Sequence, residues 1–273
     1  MIGVTHPGQA HADDVLTAAY LIAKGLVTQI ERREPTNEEI IDDEVIVFDI
    51  GGMHSRDANN FDHHHFPRGT PATCAFSLVL MKHGDYDDWR TIFPWIAGTE
   101  EMDSQGPFAV ASRLGVDFDD LKPFVFNPFA GFVIGAFQEE TIIKPGSSCW
   151  HLLLRFGEGL IDQVETIRER WKHFDSTTVW QTVNKQIVVG VFDTTGPVGI
   201  ESWIESRNME CHCVVSRDDR GNGLALFRRN DDQRIDFSRC EGMPNVAFAH
   251  KGGFVAKIKD VNWMPVIETA CIE

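Results

Sequence analysis

The chain has 273 residues, 42% of them hydrophobic, enough to build cores for one large domain or two. Acidic residues outnumber basic ones 41 to 25, a net charge of −16, which argues against a protein that grips long duplex nucleic acid through a basic face. No run of 18 apolar residues exists, so no membrane partner is expected, and the N-terminus MIGVTH lacks the basic and apolar regions of a signal peptide.

Residues 1–5 read as a short buried strand, followed by a loop over 6–12 that contains Pro7 and Gly8. Apolar positions at 15, 16, 19, 22 and 23 predict a helix over 13–24, with Asp13 and Asp14 at its favoured acidic start and Gly25 as its stop. A second strand is expected at 27–33. A third is expected at 44–50, so uniformly apolar that it should lie centrally among parallel neighbours. Strand, helix and strand at these lengths suggest a βαβ unit. Helices are predicted over 71–83, with Pro71 in the first turn, near 86–97 and from 107. The Phe-, Pro- and Gly-rich stretch 121–137 reads as a bent lining or lid.

A long helical pattern from 148 to about 173 suits a connector between domains. Beyond it, short strands at 186–193, 211–216, 223–229 and 245–249, with a helix start at 201–206, describe a smaller mixed domain. The expected class is therefore α/β. Residues 1–147 would form a mostly parallel sheet flanked by helices, 148–177 a helical connector, and 178–273 a smaller mixed α/β domain.

Six cysteines at irregular spacing in a chain this long point to a reducing compartment and a cytoplasmic protein. Cys211-His212-Cys213 resembles half of a zinc site, but no second close pair follows, and alternation along a strand explains it equally well.

Histidines and carboxylates concentrate at strand ends. His6 follows strand one, Asp49 ends strand three, His11 and Asp13 begin the first helix, and Asp62-His63-His64 closes the next short approach; Asp103 lies farther on, in MDSQG. In an open α/β sheet the carboxyl ends of strands are where ligands bind, so residues distant in sequence can converge there. Each alone has an ordinary reading: a loop histidine, a helix cap, a turn aspartate before Gly51 and Gly52. Their joint occurrence points to two divalent cations held by oxygen and imidazole. The histidine content favours manganese, with magnesium, cobalt or zinc as alternatives. Asp49, at the most rigid position, is the expected bridge between them. Paired cations imply phosphate-ester hydrolysis, in which a bridging water loses a proton and attacks phosphorus. The distal segment His250-Lys251-Gly252-Gly253 would suit an anion through exposed amides and the lysine charge. Arg228, and one of Arg32 and Arg33, could meet a phosphate, although a solvated pair is the plainer reading of each.

These residues resemble the DHH phosphoesterase superfamily, named for the run seen here at 62–64, and within it the MYG1 exonuclease family. The similarity lies in THPGQAHADD at 5–14, FDIGG at 48–52, FDHHH at 61–65, DSQG at 103–106 and GMPNVAFAHKGGFVA at 242–256. Ala10, Asp14, His65, Ser104 and Gln105 depart from the family pattern. The resemblance implies one metal on His6, His11 and Asp49, and a second on Asp13, Asp49, His63 and Asp103. It implies that His64 faces the scissile phosphate while Asp62 fixes the histidine loop, so that catalysis rests on His64, Asp49 and Asp62. It further implies 3′-to-5′ hydrolysis of RNA or short oligonucleotides, with a smaller C-terminal domain closing over the substrate. In that domain His250, Lys251, Gly252, Gly253 and Arg228 would contact substrate, and Arg33 would do so from the first domain. The acidic charge keeps open a small nucleotide, cyclic dinucleotide or phosphoanhydride as substrate. A non-catalytic nucleotide-binding scaffold, and a homodimer, are also compatible with the sequence.

Overall fold

A computed structural model describes residues 1–125, 128–184 and 186–272, which form two compact units, Met1–Val164 and Glu165–Glu273. The class is mixed α/β.

The first unit opens with β1 (Ile2–Thr5), α1 (Ala12–Ala23) and β2 (Gln29–Arg32), followed by β3 (Val45–Phe48), β4 (His54–Ser55) and β5 (Asn60–Phe61). Its helices are α2 (Ala75–His83), α3 (Tyr86–Ile92), α4 (Trp95–Gln105), α5 (Pro107–Leu114), α6 (Phe118–Val125) and α7 (Pro128–Glu139). β6 (Ile142–Ile143) precedes α8 (Ser148–Thr177), one helix of 30 residues that runs on past the first unit. The sheet order is β4-β5-β3-β1-β2-β6. β3 is parallel to both β1 and β5, as its apolar run predicts, and β1 is parallel to β2. β4 and β6 are the antiparallel edges. The chain passes from β1 to β2 on one side, then returns to place β3 on the other side of β1. That reversal makes the carboxyl ends of β1 and β3 a topological switch point, where a crevice opens between diverging loops.

The core of this unit is built from the strand residues Val4, Ile30, Val47 and Phe48 and from the inner face of α1, with Ala18, Ala19 and Leu21 fully buried. Tyr20, Phe76 and Trp89 meet edge to face, tying α1 to α2 and α3. Two predicted helices are redrawn. The one expected from 71 starts at Ala75, because Cys74 is extended (φ −135°) and its carbonyl accepts the first helical bond from Leu78, leaving Pro71 in the preceding loop. The one expected over 86–97 is two helices. Pro94 has no N–H to continue the bonding of α3, so the chain breaks at Phe93 and restarts. The stretch expected as a bent lining over 121–137 holds parts of α6 and α7, and its residues 126 and 127 lie outside the described residues.

The second unit contains β7 (Val179–Val183), β8 (Ile187–Thr195), α9 (Ile200–Ser206), β9 (Cys213–Arg217), β10 (Leu224–Arg228), β11 (Val246–Ala249), β12 (Val255–Ile258) and α10 (Met264–Ala270). Its sheet runs β11-β12-β10-β9-β8-β7. Every pairing is antiparallel except β8 with β9, which α9 connects. Val189, Cys213, Val215, Leu226, Phe237 and Ile267 form its core. β8 to β11 correspond to the four expected strands. β7, β12 and α10 are additional.

Within the first unit, α8 crosses α1 closely enough that a Cβ on Gly157 would lie 2.2 Å from the carbonyl oxygen of Ala19, whereas one on Gly159 would meet open space. Gly157→Ala forces a backbone shift and should lower stability by about 1–3 kcal/mol, the usual cost of overpacking. Gly159→Ala should be neutral or stabilising through helix propensity. Urea unfolding of the two variants beside the parent checks the contrast. Equal midpoints would refute the close crossing.

Candidate metal centre

The switch-point crevice collects the sequence-predicted residues of the first unit. The loop after β1 carries His6 and His11, α1 begins with Asp13 and Asp14, Asp49 follows β3, Asp62 to His64 follow β5, and Asp103 sits near the end of α4. Parallel pairing of Phe48 with Phe61 brings the ends of β3 and β5 side by side, so Asp49 and the histidine run emerge together. Ligand atoms of His6, His11, Asp14 and Asp49 all lie within 4.8 Å of one another, as do those of Asp13, Asp49, His63 and Asp103. Asp49 belongs to both groups, and also to a third with His63 and His64. His63 Nε2 is 3.2 Å from Asp49 Oδ1 and 2.8 Å from Asp103 Oδ2, while His6 Nε2 is 3.3 Å from Asp49 Oδ2 and 2.9 Å from Asp14 Oδ2. His11 is half exposed, and its Nδ1 is 3.9 Å from Asp103 Oδ1.

Asp14 ties this edge together in a way the sequence reading left out. Its carboxylate accepts from Thr5 Oγ1 at 2.6 Å and from the His11 amide at 3.0 Å, in addition to its contact with His6. His6 Nδ1 donates to the Pro7 carbonyl at 2.8 Å, so Nε2 faces Asp14 and Asp49, where it donates while protonated and would offer its lone pair to a cation once that proton is lost. Asp13 Oδ2 accepts from the Ala75 amide at the start of α2. α4 is anchored one turn before Asp103 by the buried Glu100, which accepts from Ser77 Oγ, Tyr86 Oη and Arg90 Nε at 2.6, 2.7 and 3.1 Å.

Asp49 has a positive φ of 56°, a conformation unusual for any residue but glycine or asparagine, and it is buried. Gly51 and Gly52 follow, also at positive φ, and turn the chain back toward β4. Asp62 closes this turn by accepting from the Gly52 amide at 2.6 Å, from the His64 amide at 3.1 Å and from His64 Nδ1 at 2.7 Å. His64 is thereby held by one ring nitrogen while most of the ring stays exposed. His54 and His65 take no part: His54 bonds the Asn60 carbonyl and packs on Phe61 and Phe66, and His65 lies against Phe66.

The electrostatics describe a cation trap. Hydrogen bonds donated to Asp14, then to Asp49, hold the His6 pKa up to about 11 against the effect of burial. Burial lowers that of His63, but hydrogen bonds to Asp103 and Asp49 outweigh it and raise the value to about 10. Burial, then the charges of Asp49, Asp103 and Asp14, push Asp13 well above the carboxylate range. Asp49 stays below its ordinary value, because its hydrogen bonds to His6 and His63 overcome burial. Asp13 Oδ1, Asp49 Oδ2 and Asp103 Oδ2 are buried with no hydrogen bond of acceptable geometry. Histidine nitrogens approach two of these oxygens off the ideal direction, such imperfectly bonded buried carboxylates are costly, and divalent cations would satisfy all three. The donor set, imidazole and carboxylate without thiolate, fits the cations expected from the sequence.

The second unit arranges its candidate residues differently from the expected amide nest. The Gly252 amide donates to His250 Nδ1 at 2.9 Å and the Gly253 amide to the His250 carbonyl at 2.8 Å, so both are used inside the loop. Lys251 is exposed on that loop. Arg228 donates to the Ile235 carbonyl at 2.9 Å, pairs with Asp231 and reaches the Gly252 carbonyl, buttressing the turn. In the first unit, Arg33 points at Glu31 and Glu39, with Nη2 2.7 Å from Glu39 Oε1. Cys211 and Cys213 are buried while His212 Nδ1 accepts from the Val188 amide, the alternation of an extended segment, and no metal-ligand group among the described residues includes them.

The fold is that of an α/β protein whose parallel-sheet crevice is lined by two overlapping groups of residues that could hold metal ions. Residues 2–79, the stretch that supplies every candidate ligand but Asp103, match the MYG1_exonuc model, described as an uncharacterised protein family (UPF0160). The MYG1 protein of Chlamydia pneumoniae is 24% identical over 281 residues, covering 92% of this chain and 90% of that one. Over these residues the chain is similar to the MYG1 family. A solved structure titled as the DHH domain of a member of the s1p family of ribosomal proteins is 15% identical, covers 98% of this chain and 85% of its own, and has a TM-score of 0.32.

If the ligand groups bind cations, manganese should raise the thermal midpoint and EDTA should reverse the rise. A ligand at a hundred times its Kd contributes about 2.7 kcal/mol. Asp49→Asn should keep the fold, since asparagine tolerates positive φ, but should remove most of the manganese-dependent shift. An undiminished shift in that variant, measured by differential scanning fluorimetry, would refute the shared ligand.

Proposed function

We propose that this protein is a divalent-metal-dependent phosphodiesterase that degrades RNA or short oligonucleotides from the 3′ end. The observation that carries this reading is the pair of four-residue ligand groups joined at Asp49, with three buried carboxylate oxygens that form no well-directed hydrogen bond. Two divalent cations, manganese best among them, would be held by His6, His11, Asp14 and Asp49 and by Asp13, Asp49, His63 and Asp103. They would supply Lewis-acid stabilisation of the phosphoryl group and an activated water. The family model's exonuclease title supports the reaction class.

The protein's own groups do the rest. Asp49 is held in a strained backbone turn between β3 and the glycines, which limits how far its two oxygens can relax. Asp62 takes the Nδ1 side of His64, fixing ring and loop, and leaves Nε2 on the open edge of the ring. From there His64 would donate to a non-bridging phosphate oxygen or to the leaving oxygen. The hydrogen bond that its Nδ1 donates to Asp62 raises its pKa and favours the protonated form, which can also donate through Nε2. In the second unit, Lys251 and His250 would offer charge and a ring to an anionic ligand, in a loop braced by Arg228.

The charge of −16 favours a second substrate class, small nucleotides or cyclic dinucleotides, over long strands. End-labelled RNA, DNA and dinucleotides incubated with manganese distinguish the two classes. Shortening ladders from the 3′ end are expected; cleavage confined to dinucleotides would favour the second class. His64→Ala should lower kcat by about 10²–10³-fold, as for loss of a transition-state donor, while manganese binding persists. A variant with unchanged kcat would remove His64 from the chemistry.

A further inference from the structure

The loop from His6 to His11 carries two candidate ligands, yet it is a surface turn with Pro7, Gly8 and Gln9 exposed. What holds it is a buried arginine. Arg32 stands on β2 opposite Thr5 of β1 and is 5% exposed. Its acceptors are three main-chain carbonyls: Gly8 at 2.8 Å and His6 at 3.4 Å from Nη2, and Gln138 at 2.8 Å from Nη1. Its Nε has no partner, and the guanidinium lies over the Phe137 ring at 5.1 Å. Gln138 reciprocates, its Oε1 accepting from the Ala10 amide at 3.3 Å. Two bonds from Arg32 and one from Gln138 thus hold the ligand loop to the end of α7.

A guanidinium buried without a hydrogen-bonded carboxylate and with one N–H unsatisfied is a poor choice for stability alone. Its planar fork can span acceptors on two segments at once, which an ammonium group cannot do in the same geometry. We propose that Arg32, assisted by Gln138, is a positioning residue for the metal centre, setting the backbone of residues 6–10 so that His6 and His11 meet Asp49. This rests on the metal-centre reading above. The side-chain hydrogen bonds of Arg32 go to main-chain carbonyls, and it belongs to none of the candidate ligand groups.

The test uses the full chain with Arg32→Lys, which keeps the charge and loses the fork, and Gln138→Ala, an exposed position where folding is not at risk. Two readouts are taken: amide hydrogen exchange without metal, and manganese binding followed by the free-ion electron paramagnetic resonance signal. Exchange over residues 8–11 should rise about tenfold in each variant while β1 and the second half of α1 keep parental protection. One of the two manganese ions should bind about 10–100-fold more weakly, the usual effect of losing an outer-sphere support, while the other keeps its affinity. Parental exchange over 8–11 in both variants would overturn the clamp. Faster exchange with both ions bound at parental affinity would leave Arg32 as a loop anchor and overturn its role toward the metal. If the parent itself binds no manganese, the metal-centre reading fails, and exchange alone then decides whether the clamp exists.

Discussion

Asp13, Asp14, Asp49 and Asp103 lie close together in one crevice, and the ion pairs that Asp14, Asp49 and Asp103 form there are with histidines. Four carboxylates this close cannot all remain ionised in a low-dielectric pocket without counter-charge. The free protein meets that constraint by proton sharing: Asp13 is driven toward its neutral form and His6 and His63 hold protons far above the ordinary range of histidine. A divalent cation, if bound, would replace those protons with a fixed charge and give the carboxylate oxygens well-directed partners. Much of the surrounding structure bears on this exchange. Thr5 and the His11 amide hold Asp14, the Ala75 amide holds Asp13, and Glu100 anchors the helix that brings Asp103.

The strain at Asp49 belongs to the same arrangement. A non-glycine residue at positive φ costs roughly 1–3 kcal/mol and persists only when its surroundings determine it. Here the surroundings are parallel pairing on both sides of β3, two glycines after Ile50, and Asp62 bonded across the turn to the Gly52 amide. An aspartate in ordinary extended conformation would carry its side chain along the pleat of β3. The left-handed turn instead aims both oxygens between His6 and His63. Asp62 therefore has two tasks that one substitution would disturb together, closing the turn that carries Asp49 and orienting His64.

Much of this was legible in the sequence because strand ends are marked by changes of composition. The apolar run before Asp49 made its placement at a buried strand end a direct reading, and THPGQAHADD set two histidines and two aspartates on one loop and helix start. Asp14 was harder to read. Adjacent aspartates at a helix start look alike until the helix phase is known, and only then does one face β1 and the other α2. Arg32 and Arg33 posed the same problem on a strand, where neighbours point to opposite faces. Arg32 turns inward to the ligand loop and Arg33 outward to Glu31 and Glu39. β7, β12 and the edge strand β6 escaped notice because short strands carry little periodicity of their own.

The glycines of the second unit show where composition misleads. Adjacent glycines before Phe254 suggested free amides for an anion, but free amides require that the loop's own acceptors look elsewhere. His250 supplies two acceptors, its ring nitrogen and its carbonyl, and takes both amides. What the loop exposes instead is a lysine and the ring of Phe254, half exposed and 4.0 Å from that of His250. Such a surface offers one positive charge and ring faces, a pattern unlike the row of cations that matches the regular phosphate spacing of a duplex. The global charge points the same way, since two bound divalent cations would offset only a quarter of the −16, and a long polyanion would still meet net repulsion.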